Sequence, residues 1–250
     1  MPKVFKSSEL KKLHLTGLEL PVEVIQEHRQ SARVSFGKGK AVLRIPLMMN
    51  EKQKEEALQW ACDWLGKKLR TDHTLRNKYL PKDYKTGNII QLRGKEFTLE
   101  VNEGVPKNSA SGQLKGFIIQ IDLPAGISAH QKQTLCSTII SRILAKVFHK
   151  EIEGRVRELN NKYFGKQLLS VRLKYNSSNW GSCSSKNNIN LSTRLLLTPD
   201  FITDYVIIHE LAHLIHMDHS DQFWAVVKKV MPDYERAERW LKKYGESCNF

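Results

Sequence analysis

Residues 206–224 read V-I-I-H-E-L-A-H-L-I-H-M-D-H-S-D-Q-F-W, which puts His209, Glu210, His213, His216 and His219 within eleven positions. Imidazole and carboxylate are the side chains that ligate metal ions and move protons near neutral pH. His209 and His213 are four residues apart, so on a helix they share one face. Two imidazoles at that spacing can hold one zinc ion at about 2.0–2.1 Å from each nitrogen. Glu210 follows the first histidine and projects to one side, where it can reach a metal-activated water without being a ligand. The spacing H-E-x-x-H is that of metal-dependent peptide hydrolysis. In that chemistry the ion acidifies water and polarises a carbonyl, and the carboxylate carries a proton from the water to the leaving amine.

A catalytic zinc takes three protein ligands and keeps one open position. His216 and His219 both offer a third. His216 is seven residues after His209, about 10.5 Å along a straight helix at 1.5 Å per residue. One ion cannot easily close that span. His219, ten residues on, reaches the ion if the helix stops near 216–218 and the chain turns back, so His219 is preferred. His216 is then left for the helix dipole or for an outer hydrogen bond.

Several elements must hold these groups in place. T-P-D-F-I-T-D-Y starts the histidine helix, with Thr198 as cap, Pro199 at the first helical position and Asp200 on the dipole. Before it, L-L-S-V-R-L-K-Y (168–175) and I-N-L-S-T-R-L-L-L (189–197) predict strands, separated by the polar loop N-S-S-N-W-G-S-C-S-S-K-N-N. Ser128 to about Phe164 predicts one long helix or two, with Leu135, Ile139, Ile143, Val147 and Ile152 as its apolar recurrence. Earlier still, V-E-V-I-Q-E-H, A-R-V-S-F, A-V-L-R-I-P, N-I-I-Q-L-R, K-E-F-T-L-E-V and F-I-I-Q-I-D-L predict strands. N-E-G-V-P-K-N-S-A-S-G-Q predicts a loop. Asn50 caps a predicted helix with Ala57, Leu58, Ala61, Trp64, Leu65 and Leu69 on one face. The style changes after L-P-A-G, which predicts a β-rich region over 1–126 and a second domain over 127–250.

The chain has 250 residues and a formal net charge of +14. From residue 201 on, 6 Lys+Arg face 8 Asp+Glu, so residues 1–200 carry 34 − 18 = +16. That surplus suits a polyanion such as nucleic acid or a ribosome, and equally a lysine-rich solvated surface. No run approaches eighteen apolar residues, and the start lacks the apolar core of an export signal, so the expectation is a cytoplasmic protein with no membrane contact. Cys62, Cys136, Cys183 and Cys248 form no C-x-x-C pair, which argues for reduced thiols and against a thiolate metal site.

W-G-S-C-S-S (180–185), I-N-L-S-T-R-L-L-L-T-P-D-F-I-T-D-Y-V-I-I-H-E-L-A-H-L, D-H-S-D-Q-F-W and M-P-D-Y-E-R-A-E-R-W-L together resemble the YgjP-like metallopeptidases, a zincin group. They resemble the SprT and WLM protein–DNA crosslink proteases more distantly. The resemblance implies zinc on His209, His213 and His219, Glu210 as general base, and an α+β zincin-like catalytic domain with the H-E-x-x-H helix under a small sheet. His216 stands where the metzincin pattern has glycine, so Met231 is not read as a Met-turn. The strand over 189–197, in the place of the zincin edge strand, is a candidate to bind a peptide or protein substrate by β-augmentation.

Other residues near the motif have weaker assignments. Trp180 is expected on the metal helix, and Gly181 to permit a close backbone approach. Cys183 is expected to be a small packed residue rather than a fourth ligand. Asn179, Arg194 and Tyr175 are candidates to steady an oxyanion, Asp218 and Asp221 to orient a ligand imidazole, and Phe223 and Trp224 to anchor the turn. The reading is a zinc metallopeptidase. Its rivals are a nucleic-acid- or ribosome-associated protein with a structural zinc site, and a metal-dependent hydrolase of non-peptide amides.

Overall fold

The computed structural model describes residues 7–15, 18–37, 40–72, 75–76, 79, 82–106, 108–176 and 178–250. They fall into two units, Met1–Pro81 and Lys82–Phe250. In the first, period-two alternation makes strands and a capped amphipathic run makes a helix. Strands β1 (Ser7–Leu15), β2 (Leu18–Glu27), β3 (Arg33–Phe36) and β4 (Ala41–Pro46) form a sheet in the order β1-β2-β4-β3. Helix α1 (Glu51–Thr71) starts with a complete capping box, in which Asn50 and Gln53 each bond the other's backbone N–H. Leu20, Val22, Leu43 and Ile45 from the sheet and Ala61, Leu65 and Leu69 from the helix form this unit's core. Strand β1 has no clear apolar alternation. It exists because an edge strand needs only the antiparallel ladder offered by β2.

Among the described residues, the second unit holds two sheets and four α-helices. Strands β5 (Ile89–Leu92), β6 (Lys95–Val105), β7 (Ser111–Lys115) and β8 (Ile118–Pro124) pair in the order β5-β6-β8-β7. Helix α2 (Ala129–Tyr163) is a single 35-residue helix with a Ser128–Gln131 capping box. Phe97, Leu99, Ile119, Ile121 and Leu123 from the sheet share one core with Ile140, Leu144, Phe148 and Ile152 of α2. The break expected near residue 126 therefore lies inside this unit, and the chain divides after Pro81 instead. Composition changes at 126 because strands give way to a helix, but the two bury each other's apolar faces. Strand β7 falls partly in the stretch expected to be a loop. It lacks apolar alternation because Gly112 lets its backbone press on α2, where an added Cβ would stand 2.2 Å from Ile139 Cγ2.

A second sheet, of β9 (Ser170–Lys174), β10 (Gly181–Cys183) and β11 (Asn188–Ser192), has the order β10-β11-β9, with β9 and β11 parallel. The strand expected over 189–197 stops at Ser192, and Thr193–Leu197 form a 3₁₀ turn. It is the central strand, so β10, read as part of a loop, is the edge next to the histidine helix. Three helices follow, α3 (Asp200–Ala212), α4 (Asp221–Val230) and α5 (Tyr234–Tyr244). Pro199 rather than Thr198 occupies the cap position of α3. The Thr198 hydroxyl bonds back to the Leu195 carbonyl at 2.9 Å and closes the 3₁₀ turn.

Two arginines clamp α3. Arg155 on α2 forks onto Asp204 (Nε–Oδ1 2.7 Å, Nη2–Oδ2 2.6 Å). Arg93, in the β5–β6 hairpin, bonds Glu151 Oε1 at 2.9 Å and Asp200 Oδ1 at 3.1 Å. Among the described residues no helix is long and apolar enough to cross a membrane. Replacing Gly112 by Ala overpacks the β7–α2 contact and is expected to lower unfolding free energy by about 1–3 kcal/mol. Urea unfolding of both proteins checks this, and an unchanged midpoint would refute the contact.

Candidate metal centre

Burial fixes which face of α3 carries the chemistry. Ile202, Ile207, Ile208 and Leu211 are core residues, and α3 also buries Glu210, which is 6% exposed. His209 is half-buried on the same helix, and His213 is its C-cap residue. Past His213 the chain does not continue the helix. The amides of Leu214, Ile215 and His216 fold back onto Leu211 and Ala212, and the chain then turns. His219 thereby returns to the helix, with its Nε2 3.0 Å from Nε2 of His209. One ligand atom from each of His209, His213 and His219 lies within 4.8 Å of the others. His216 is outside this group. Its contribution is its backbone carbonyl, which accepts a hydrogen bond from Nδ1 of His213 at 3.1 Å. That bond places the proton on Nδ1 and frees Nε2 of His213 to ligate.

The chemistry of these donors fits a divalent metal. Burial, with His213 and His219 alongside, lowers the pKa of His209 to about 4, so the ring is neutral and offers a lone pair. Phe223, fully buried, packs its ring 4.6–4.9 Å from all three imidazole centroids. Trp224 stands 5.8 Å from His209 and 6.0 Å from His219, and Tyr205 stands 6.0 Å from His209. Phe223 and Trp224, expected to anchor the turn, thus pack against the imidazole rings themselves.

Glu210 is held from the opposite side by the edge strand. Desolvation by burial raises its pKa to about 7, and the nearby Cys183 backbone N–H, which favours the charged form, offsets this only in part. A Cβ on Gly181 would stand 2.6–2.8 Å from Oε1, Cγ and Cδ of Glu210, so only glycine fits there. The close approach expected of Gly181 is real, and the group approached is the carboxylate. The Cys183 thiol, with its pKa raised to about 11 by burial and then by Glu210, is not among the convergent ligand atoms.

Other expected residues have different work. Trp180 is packed by Arg194, whose guanidinium carbon lies 4.1 Å from the ring centroid, and by Gly245, where a Cβ would meet the indole at 2.8 Å. Arg194, 4% exposed, donates to the carbonyls of Cys248 (2.9 Å) and Gly245 and is structural, not an oxyanion donor. Asn179 and Tyr175 are exposed, and no bond from either reaches the centre. Asp218 accepts from the Ser220 hydroxyl at 2.9 Å, and Asp221 opens α4. Neither is bonded to a ligand imidazole. The Cys183 amide on Glu210 is the contact that sequence reasoning missed, because a backbone donor leaves no residue-type signal.

Convergent imidazoles beside a buried carboxylate are the equipment of metal-dependent hydrolysis. A profile described as YgjP-like, metallopeptidase domain, matches residues 30–244, and the chain belongs to that family. The family implies a divalent metal. No curated protein matches the chain. Among solved structures, the metallopeptidase zymogen of Pyrococcus abyssi abylysin is 27% identical over 37% of this chain and 93% of its own, with a TM-score of 0.34. That of Methanocaldococcus jannaschii jannalysin is 17% identical over 37% and 94%, with a TM-score of 0.33.

Two outcomes follow from the Glu210 contacts. Gly181→Ala drives a methyl into the carboxylate and should cut peptidase activity at least about tenfold while bound metal stays stoichiometric. Full activity in that variant would remove Gly181 from the site. The second concerns stability without metal. A carboxyl raised from 4.5 to about 7 on folding stabilises fully below pH 4.5, and that contribution is lost as pH rises to 7. The chelated protein should therefore lose roughly 3 kcal/mol relative to Glu210→Gln across this window. Denaturant midpoints of the two proteins that stay parallel from pH 4.5 to 7.5 would refute the burial argument.

Proposed function

We propose that the chain is a zinc-dependent peptidase with a zincin-like catalytic unit, in which His209, His213 and His219 hold the metal and Glu210 is the general base. The convergence of the three imidazoles on one point beside Glu210 carries this reading. Zinc suits a set of three imidazole nitrogen donors, and when bound it would supply Lewis acidity toward a peptide carbonyl and acidity to a water. A structural site would be closed by a fourth protein ligand, and the described residues offer three.

The chain's own groups do the rest. His213 is oriented by the His216 carbonyl, and His209 and His219 by the Phe223 and Trp224 rings. Glu210 takes the proton of the attacking water on a carboxylate oxygen and passes it to the nitrogen of the leaving amine. Its pKa near neutrality suits both transfers, and the Gly181 backbone packs directly against the carboxylate. The substrate is a peptide or protein. Its extended backbone pairs with β10, the edge of the small sheet, in the role first assigned to the strand that proves to be central.

Glu210→Gln should keep stoichiometric zinc and lose about 10²–10⁴-fold in peptide cleavage. His219→Ala should lose the metal, whereas His216→Ala should keep it, because the His216 contribution is a backbone carbonyl. Metal analysis of the purified variants, paired with an assay on an unstructured protein, reads both. Retained cleavage in Glu210→Gln or retained zinc in His219→Ala would overturn the assignment.

A further inference from the structure

The small sheet has a second face that the metal centre does not use. Between Glu158 and Asp200 the chain has no Asp or Glu over 41 residues, but it has Lys162, Lys166, Arg172, Lys174, Lys186 and Arg194. The same stretch contains seven asparagines and seven serines. It builds all of β9, β10 and β11. Val171, Leu173, Ile189 and Leu191 point into the core, so strand alternation turns Arg172, Lys174 and Asn190 to the opposite face.

On that face the register sets rows across the strands. Arg172 lies beside Asn190, and Asn190 beside Ser182, with Asn190 Nδ2 donating to Ser182 Oγ at 3.2 Å. The neighbouring row is Ser170, Asn188 and Ser184, joined by bonds of 2.6 and 3.1 Å. Arg172, Lys174 and Lys186 are exposed, and no carboxylate among the described residues pairs with them. At the free edge of β9, His149 of α2 bonds the Val171 carbonyl at 3.0 Å. Lys146 and Arg142, one and two turns before it, are exposed and have no ion-pair partner among the described residues. Tyr175, 37% exposed, follows Lys174 at the strand end.

We propose that the outer face of the β9–β11 sheet binds the phosphodiester backbone of a nucleic acid. Three observations favour this occupant: sheet cations that no described carboxylate pairs (Glu153, 3.5 Å from His149, is held by Arg157), amide and hydroxyl donors of the kind that contact phosphate and sugar, and an aromatic ring at the edge. An acidic protein would need only the cations. This inference does not rest on the metallopeptidase reading, because none of these side chains belongs to the metal centre.

The test is fluorescence anisotropy of a labelled single-stranded 20-mer and of its duplex with the full chain, over a salt series. Binding should weaken steeply with salt. Arg172→Gln/Lys174→Gln/Lys186→Gln should raise Kd at least tenfold and reduce the single-strand log–log slope by about 2, at roughly 0.7 per lost phosphate contact. Zinc content and thermal midpoint report that the triple variant is folded. A charge-matched control, Lys228→Gln/Lys229→Gln/Lys242→Gln on α4 and α5, should bind as the parent does. The proposal fails if the parent binds neither oligonucleotide at 50 mM salt, or if the sheet variant binds unchanged. It fails equally if the control loses as much, since net charge alone would then explain binding. Displacement of the oligonucleotide by polyglutamate or by anionic vesicles at equal charge would reassign the face to an acidic protein or a lipid surface.

Discussion

The metal centre depends on where helix α3 ends. Had the helix run on through His219, that residue would stand about 15 Å along the axis from His209. Instead the regular helix ends at Ala212, and three consecutive amides fold back onto Leu211 and Ala212. The reversal brings His219 Nε2 to 3.0 Å from His209 Nε2. It also delivers the His216 carbonyl to Nδ1 of His213, so the turn that brings the three imidazoles together orients one of them. Phe223 then seals the arrangement by packing against all three rings. The turn, the three imidazoles and the aromatic rings pack as one unit.

The second constraint is the contact between a strand and a carboxylate. An ionised glutamate is costly to bury, and a single backbone amide does not offset the lost hydration of Glu210. In the proposed mechanism this cost is accepted because Glu210 has to sit beside the three imidazoles, on a helix packed against the small sheet. Gly181 makes the approach possible, and Cys183 contributes its N–H rather than its thiol. Behind this strand, Arg194 stacks on Trp180 and holds the carbonyls of Gly245 and Cys248, tying the sheet to the last turn of the chain. The clamp Arg155–Asp204 sets α3 against α2 from the other side. The geometry at Glu210 is therefore fixed from several directions by residues far apart in the sequence.

Charge is organised with the same economy. The acidic residues of the C-terminal helices balance their lysines and arginines, while the 41 residues that build the small sheet contain no acid. One face of that sheet supports the metal centre through β10. The other carries unpaired cations with amide and hydroxyl groups between them.

What the sequence determined by itself is local. His209, Glu210 and His213 could be read because the period of a helix fixes their relation, and Asn50 and Ser128 because a capping box is a four-residue signal. Helix rise alone argues against His216, but the preference for His219 also assumes that the helix stops and the chain turns back. The tertiary structure decided whatever rests on backbone atoms or on packing between distant segments. Strand β7 had no readable pattern because Gly112 contributes backbone rather than an apolar side chain. The division after Pro81 was hidden because composition changes with secondary structure, whereas unit boundaries follow shared burial. The Cys183 amide on Glu210 and the placement of β10 at the edge came from strand order, which no spacing along the chain encodes, because hydrogen-bond ladders join residues by register in space.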